Sequence, residues 1–235
     1  MKNVLLILAA ASAALRLAAA DGVLLPFKEV TVSSAVVGIL AEVNVEEGDS
    51  VATGDLLARL VDRVETKEAE RSAKVLEQKE FAAQGTQNLF KYKVVSECEA
   101  IEKRLDRDVA QLQQQIALEQ LDRRKIKSPL NGLVVEKKKE AGEAVDENEP
   151  VFRIIDISRV YLQVFVEAGV ALALKGNDTV VVRFPEYQNV ERPGTIDFID
   201  PRIDGASGLV RVKILIDNTD RKLIAGMRGS VAFQP

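Results

Sequence analysis

Two stretches of this chain repeat one another at a fixed offset of 94 residues, and no other feature restricts the fold so strongly. Residues 33–60 align with 127–154 without a gap: Ser34 falls on Ser128, Gly38 on Gly132, Gly48 on Gly142, Val51 on Val145, Leu57 on Val151 and Leu60 on Ile154. In each copy a glycine opens a short β-prone run, 39–45 and 133–136. A second glycine then sits in a polar turn, Glu47-Gly48-Asp49 and Ala141-Gly142-Glu143, before another apolar stretch. Glycine reaches positive φ without steric cost, which suits such turns. An offset this long does not fit a solenoid. It fits two halves of one β domain separated by an insertion.

The insertion reads as helix, because no proline occurs between Leu60 and Ser128 and Glu, Lys, Gln, Ala, Leu and Arg dominate. In its second part Ile101, Leu105, Val109, Leu112 and Ile116 recur at helical spacing as one apolar stripe flanked by charge. The first helix, 64–83, has a weaker stripe of Ala69, Ala73, Leu76 and Ala83, whose small side chains permit close approach. Gly85-Thr86-Gln87-Asn88 is the expected turn zone, with continued helix over 89–95 as the alternative. Two antiparallel helices of ~25 residues at ~1.5 Å each make a rod of roughly 35–40 Å. A plain connector needs only a few residues, so a projection this long suggests reach toward a partner. The plainer alternative is a solvated hairpin that bridges two strands. After residue 155 the apolar runs 160–166, 179–184, 194–199, 210–216 and 229–233, joined by 23–32, predict a small β-sandwich or barrel.

Composition removes several function classes. The chain has no histidine and one cysteine, Cys98, so Cys/His zinc sites, histidine bases and Ser-His-Asp triads cannot be assembled from it. A formal charge of −4 without a basic run gives no footprint for nucleic acid. Lys2, the apolar run 4–15 and Leu17-Ala18-Ala19-Ala20 before Asp21 have the three regions of a secretory signal peptide. Residues 1–20 are assigned to it, with cleavage after Ala20; a buried N-terminal helix is the alternative. Lacking a cysteine after the small residues, the mature protein is expected in the periplasm without a lipoprotein anchor.

In this order the chain resembles the periplasmic adaptor, or membrane fusion protein, family of resistance-nodulation-division and related efflux pumps. The likeness is carried by Gly38-Ile39-Leu40, by 43–51 with Gly54-Asp55-Leu56-Leu57, and by Ile126-Lys127-Ser128-Pro129-Leu130-Asn131-Gly132 with Gly142-Glu143-Ala144-Val145. It continues in 197–204 and 223–229. The resemblance implies a mainly β fold with an α-helical hairpin. A split lipoyl-like β-sandwich domain (33–61 plus 126–155) holds an inserted two-helix antiparallel hairpin (62–125). A β-barrel (21–32 plus 156–235) completes the chain. It also implies a non-enzymatic, ring-forming homo-oligomer without cofactor, joining an inner-membrane transporter to an outer-membrane channel; an adaptor that binds a metal ion is disfavoured because the chain has no histidine and, after residue 20, Met227 as its only methionine. An adaptor of an ATP-driven exporter or of type I secretion would share this architecture. A lipoyl or biotinyl carrier is the reading from another class, but here the insertion takes the place of a carrier's lysine-bearing turn.

In similar adaptors the hairpin tip meets the channel through an Arg, a Leu four residues on and a Ser seven further. Leu89 and Ser96 match the last two, and Gly85 stands at the Arg position. Leu89 alternatively belongs to the hairpin core. Ser96 also fits a helix N-cap, with Glu99 completing a capping box. Longer members add a membrane-proximal domain built from both termini; a mature chain of 21–235 leaves no residues for it, so pump contact is expected on the barrel or in a different manner.

Overall fold

In the computed structural model residues 18–185, 187 and 190–233 are described. They divide into one unit of 29–155 and a second drawn from the described residues of 18–28 and 156–233. The long strands β1 (Ala18–Ser33) and β8 (Pro150–Glu167) run through both divisions of the chain.

Within 29–155 the sequence repeat is a geometric one. Strands β2 (Gly38–Val43), β3 (Ser50–Val51) and β4 (Leu56–Leu60) return 94 residues later as β6 (Gly132–Lys137), β7 (Ala144–Val145) and the start of β8. Between the halves lie α1 (Arg63–Lys91), α2 (Glu97–Asp122) and β5 (Lys125–Lys127). The halves exchange equivalent partners: Gly38 pairs with Val145 and Gly132 with Val51. Gly48 N donates to Val134 O and Gly142 N to Leu40 O, each at 2.8 Å. The inward hydroxyls follow suit, with Ser34 donating to Val36 O and Ser128 to Leu130 O, both at 2.6 Å. Even the surface ion pairs correspond, Arg59 with Glu42 and Arg153 with Glu136. The core takes both members of each matched pair, Leu40 and Val134, Val51 and Val145, Leu57 and Val151, and Leu60 and Ile154, all buried in one cluster. Burying each such side chain contributes about 1.5–3 kcal/mol.

The four repeat glycines do two jobs. Gly48 and Gly142 turn the chain at φ +96° and +93°, where a side chain would be strained. Gly38 and Gly132 allow close approach: a Cβ would lie 2.7 Å from Leu60 Cδ2 in one and 2.3 Å from Ile155 O in the other.

The other unit is a closed barrel. Strands β9 (Thr179–Phe184), β10 (Val190–Ile199), β11 (Leu209–Asp217) and β12 (Arg228–Phe233) join β1 and β8 in the order β1-β12-β9-β10-β11-β8, and β8 pairs with β1. Closure leaves no long free edge. Alternate residues fill the interior, among them Leu162, Val164, Phe184, Val212, Ile214 and Phe233. A short helix, α3 (Ala168–Ala173), follows β8. Asn218 is fully buried: its amide donates to Ile157 O and Leu223 O and accepts from Leu223 N at 2.8–2.9 Å, fixing the β11–β12 turn onto β8.

Two boundaries differ from the sequence reading. Strand β10 starts at Val190 rather than 194 and includes Pro193 opposite Val181. The pairing to β11 begins only at Gly194, so 190–193 form a local edge where proline lacks no ladder partner. Of the segment assigned to a signal peptide, residues 1–17 lie outside the described residues. Ala18, Ala19 and Ala20 are the first rungs of β1, opposite Phe233, Ala232 and Val231.

Candidate partner-binding hairpin

Both ends of the hairpin leave from paired strands, since Leu56 of β4 lies opposite Lys127 of β5 and Arg59 opposite Lys125. Arginines fasten this root: Arg124 donates to Val37 O at 3.0 Å and to Glu65 at 2.6 Å, and Arg123 donates to Ala35 O at 3.2 Å. From there α1 and α2, 29 and 26 residues long, extend antiparallel for about 40 Å.

The seam between them is built from small residues. Ala69, Ser72, Leu76 and Ala83 of α1 are buried with Ala100, Ala110 and Ala117 of α2. Their spacings fit an alternation of three and four, a coiled-coil seam in which alanine lets the backbones approach closely. Lys79 bridges the helices to Asp106 at 2.8 Å. That hydrogen bond, with the lysine's charge, holds the Asp106 carboxyl below its ordinary range. The stripe read from the α2 sequence is not the seam. Ile101, Leu105, Val109, Leu112 and Ile116 point outward with 42–59% of their surface exposed.

The tip also differs from the expected turn. Helix α1 passes through Gly85-Thr86-Gln87-Asn88 to Lys91, and the turn is 92–96. Gly85 lies inside the helix with its Cβ direction open, no atom lying within 4 Å. Lys93 takes φ +58°, and Val94 N donates to Leu89 O at 3.0 Å. Ser96 is the N-cap of α2, its Oγ accepting from Glu99 N at 3.2 Å. Leu89 is 46% exposed, with Val94 at 66% and Tyr92 at 81% beside it in the turn. Leu89 and Ser96 therefore lie at the same end of the rod. Tyr92 and Val94 join them there, although no sequence pattern marks either residue.

On the barrel, the outer face carries an aromatic and cationic ribbon. The Arg159 guanidinium lies 3.7 Å from the Phe27 ring centre, and Phe27 is 5.7 Å from Tyr161. Burial, then the hydrogen bond to Asp197, pushes the Tyr161 phenol up. Among the described residues no cluster of three or more acidic or cysteine side chains is placed to hold a metal. Nor is any described helix long and apolar enough to cross a membrane.

A split, pseudo-symmetric β domain bearing a helical hairpin, in one chain with a six-stranded barrel, defines a class of connector proteins. Residues 28–156 match the CzcB-like barrel-sandwich hybrid domain and 159–235 the CusB-like beta-barrel domain. The chain belongs to this membrane fusion, or adaptor, protein family of efflux and secretion systems. It is 25% identical over 220 residues to the nodulation protein NolF of Rhizobium meliloti (strain 1021), covering 88% of this chain and 60% of that protein. The chain thus spans about three fifths of the length of that curated relative. A MacA-MexA chimera containing the Pseudomonas aeruginosa MexA alpha-hairpin domain superimposes with a TM-score of 0.81 at 20% identity, over 92% of this chain and 80% of that one. The membrane fusion protein Spr0693 of Streptococcus pneumoniae R6 gives 0.72 at 18% identity, over 92% and 99%.

Proposed function

We propose that the chain is a periplasmic adaptor subunit of a tripartite efflux system, exported by the signal peptide of residues 1–20 and working as a mechanical connector. Its rings seal a conduit, the hairpin reaches an outer-membrane channel through Leu89 and Ser96, and the barrel holds an inner-membrane transporter of the resistance-nodulation-division type. The divisions are 33–61 plus 126–155 for the lipoyl-like domain, 62–125 for the hairpin and 21–32 plus 156–235 for the barrel. The observation that carries the reading is the rooted rod of about 40 Å ending in exposed Leu89, Tyr92 and Val94. Apolar groups held at the end of a rod contribute nothing to the protein's own core and suit a partner's surface.

Photocrosslinking from Leu89 and Ser96 in cells, with mass spectrometry of the captured protein, tests it. Capture of an outer-membrane channel supports the reading; capture of nothing by well-expressed protein overturns the tip contact. The mass of the mature protein tests export, with cleavage after Ala20 expected to leave Asp21, opposite Ser230, as the first rung of β1.

A further inference from the structure

The outward stripe of α2 is the largest ordered apolar feature of the hairpin that the hairpin itself does not use. Among the described residues its side chains stay 42–59% exposed, because the α1–α2 seam lies on the other side of the helix. The outer face of α1 offers little apolar complement. Apart from Val64, Phe81 and, near the tip, Leu89, it carries charged side chains paired within the helix, Lys67 with Glu70 and Lys74 with Glu77. A head-to-tail arrangement laying α2 on a neighbour's α1 would set leucine and isoleucine against these ions, which costs desolvation without an apolar gain.

The stripe complements itself instead. In chain order it reads Ile101, Leu105, Val109, Leu112, Ile116, the same residue types in both directions. When one α2 is laid antiparallel on another, Ile101 faces Ile116 of the other copy, Leu105 faces Leu112, and Val109 lies at the two-fold axis. Such reciprocity is what an isologous interface requires. The charges obey the same register. Eight of the twelve residues from 97 to 108 are charged, but of the twelve from 109 to 120 only Glu119 is. Antiparallel pairing places the charged half of each helix against the glutamine-rich half of the other, Glu102 near Gln115 and Arg104 near Gln113. Parallel pairing would set Glu97 and Glu102 beside their own copies, where like charges repel.

We propose that α2 is a self-association surface through which two copies of this chain pair antiparallel, centred between Asp108 and Val109. Their tips then point in opposite directions, each beside the other copy's hairpin root. The pair is therefore a form of the protein outside any ring in which all hairpins point one way. One helix pair buries less than the ~800 Å² per partner of a standard interface, so the dimer is weak and concentration-dependent. The proposal does not depend on the channel reading, since it uses neither Leu89 nor Ser96.

Disulfide trapping of the full chain tests it, in a Cys98→Ser background with two size-distinguishable tags. Under mild oxidation a mixture of Leu105→Cys and Leu112→Cys is expected to give a mixed dimer, and Val109→Cys to couple with itself. Leu105→Cys alone is expected to stay monomeric, because its two copies lie roughly 10 Å apart along the helices, beyond disulfide reach. Sedimentation without oxidant should show a dimer that grows with concentration and is lost in Leu105→Gln/Leu112→Gln, whose sites are exposed and leave folding intact. Self-coupling of Leu105→Cys as efficient as the mixture, absence of coupling in every combination, or coupling only to a different protein each overturns the proposal.

Discussion

The β domain and the hairpin it carries distribute their hydrophobic side chains in opposite ways. In the β domain the largest residues, Leu40, Leu57, Leu60, Val151 and Ile154, are buried, and the surface carries ion pairs with a few scattered apolar side chains such as Ile39 and Val135. In the hairpin the seam consists mainly of alanine, while α2 turns its large residues outward. One region places its apolar area in its own core; the other leaves most of it exposed. A hairpin of this kind depends on its root and on helix propensity more than on burial.

Substitutions can break or sharpen that contrast. Leu57→Ala should destabilise the β domain by about 2–5 kcal/mol through lost transfer energy and a cavity. The same change at Leu112 should stay within about 0.5 kcal/mol in the monomer. Denaturant unfolding of both variants at low concentration measures the difference, and equal losses would abolish the distinction. Ala110→Leu forces a large side chain into the close seam and should cost about 1–3 kcal/mol. Hydrogen exchange should locate that loss in α1 and α2 while the strands keep their protection. Gly85→Ala should stabilise α1 by about 1 kcal/mol, because glycine within a helix gives up backbone entropy and this site has room for a methyl group. Slower exchange around 81–91 is the expected signature.

The smallest effect is electrostatic. The carboxyl of Asp106 is lowered in the folded state by Lys79, so its contribution is present above the ordinary Asp value of about 3.9 and is lost as pH falls through the lower folded value. Helical signal from the hairpin should therefore fray slightly more steeply below about pH 4 in the wild type than in Asp106→Asn. Identical acid profiles would remove the pair from the account.

Much of the β architecture was legible because the repeat fixes both residue type and spacing. Glycines, inward serines and apolar rungs recur at one offset, and the structure returns that offset in strands, hydrogen bonds and ion pairs. The hairpin was legible as two helices but not in its packing. A hydrophobicity pattern points to the most apolar stripe, and in α2 that stripe faces solvent; the alanine seam has little contrast with its surroundings. Gly85 suggested a turn, yet an exposed glycine inside a long helix costs too little to end it. At the tip, Ser96 was readable as a cap because Glu99 follows at capping-box spacing, whereas Tyr92 and Val94 carried no pattern. Pro193 hid the start of β10, since its tolerance depends on where the pairing of β11 begins. The role of Asn218 could not be read from a turn sequence alone, because two of its partners, Ile157 and Leu223, come together only in the folded barrel.

The rooting of the hairpin on adjacent strands makes length an adjustable dimension of this protein. Because both helices depart from neighbouring rungs of β4 and β5, adding or removing seven residues in each preserves the seam and changes the reach by about 10 Å. The rungs below experience the same two chain ends at the same separation whatever the rod's length. Reach and foundation can therefore vary separately, as a mast can be exchanged on an unchanged step.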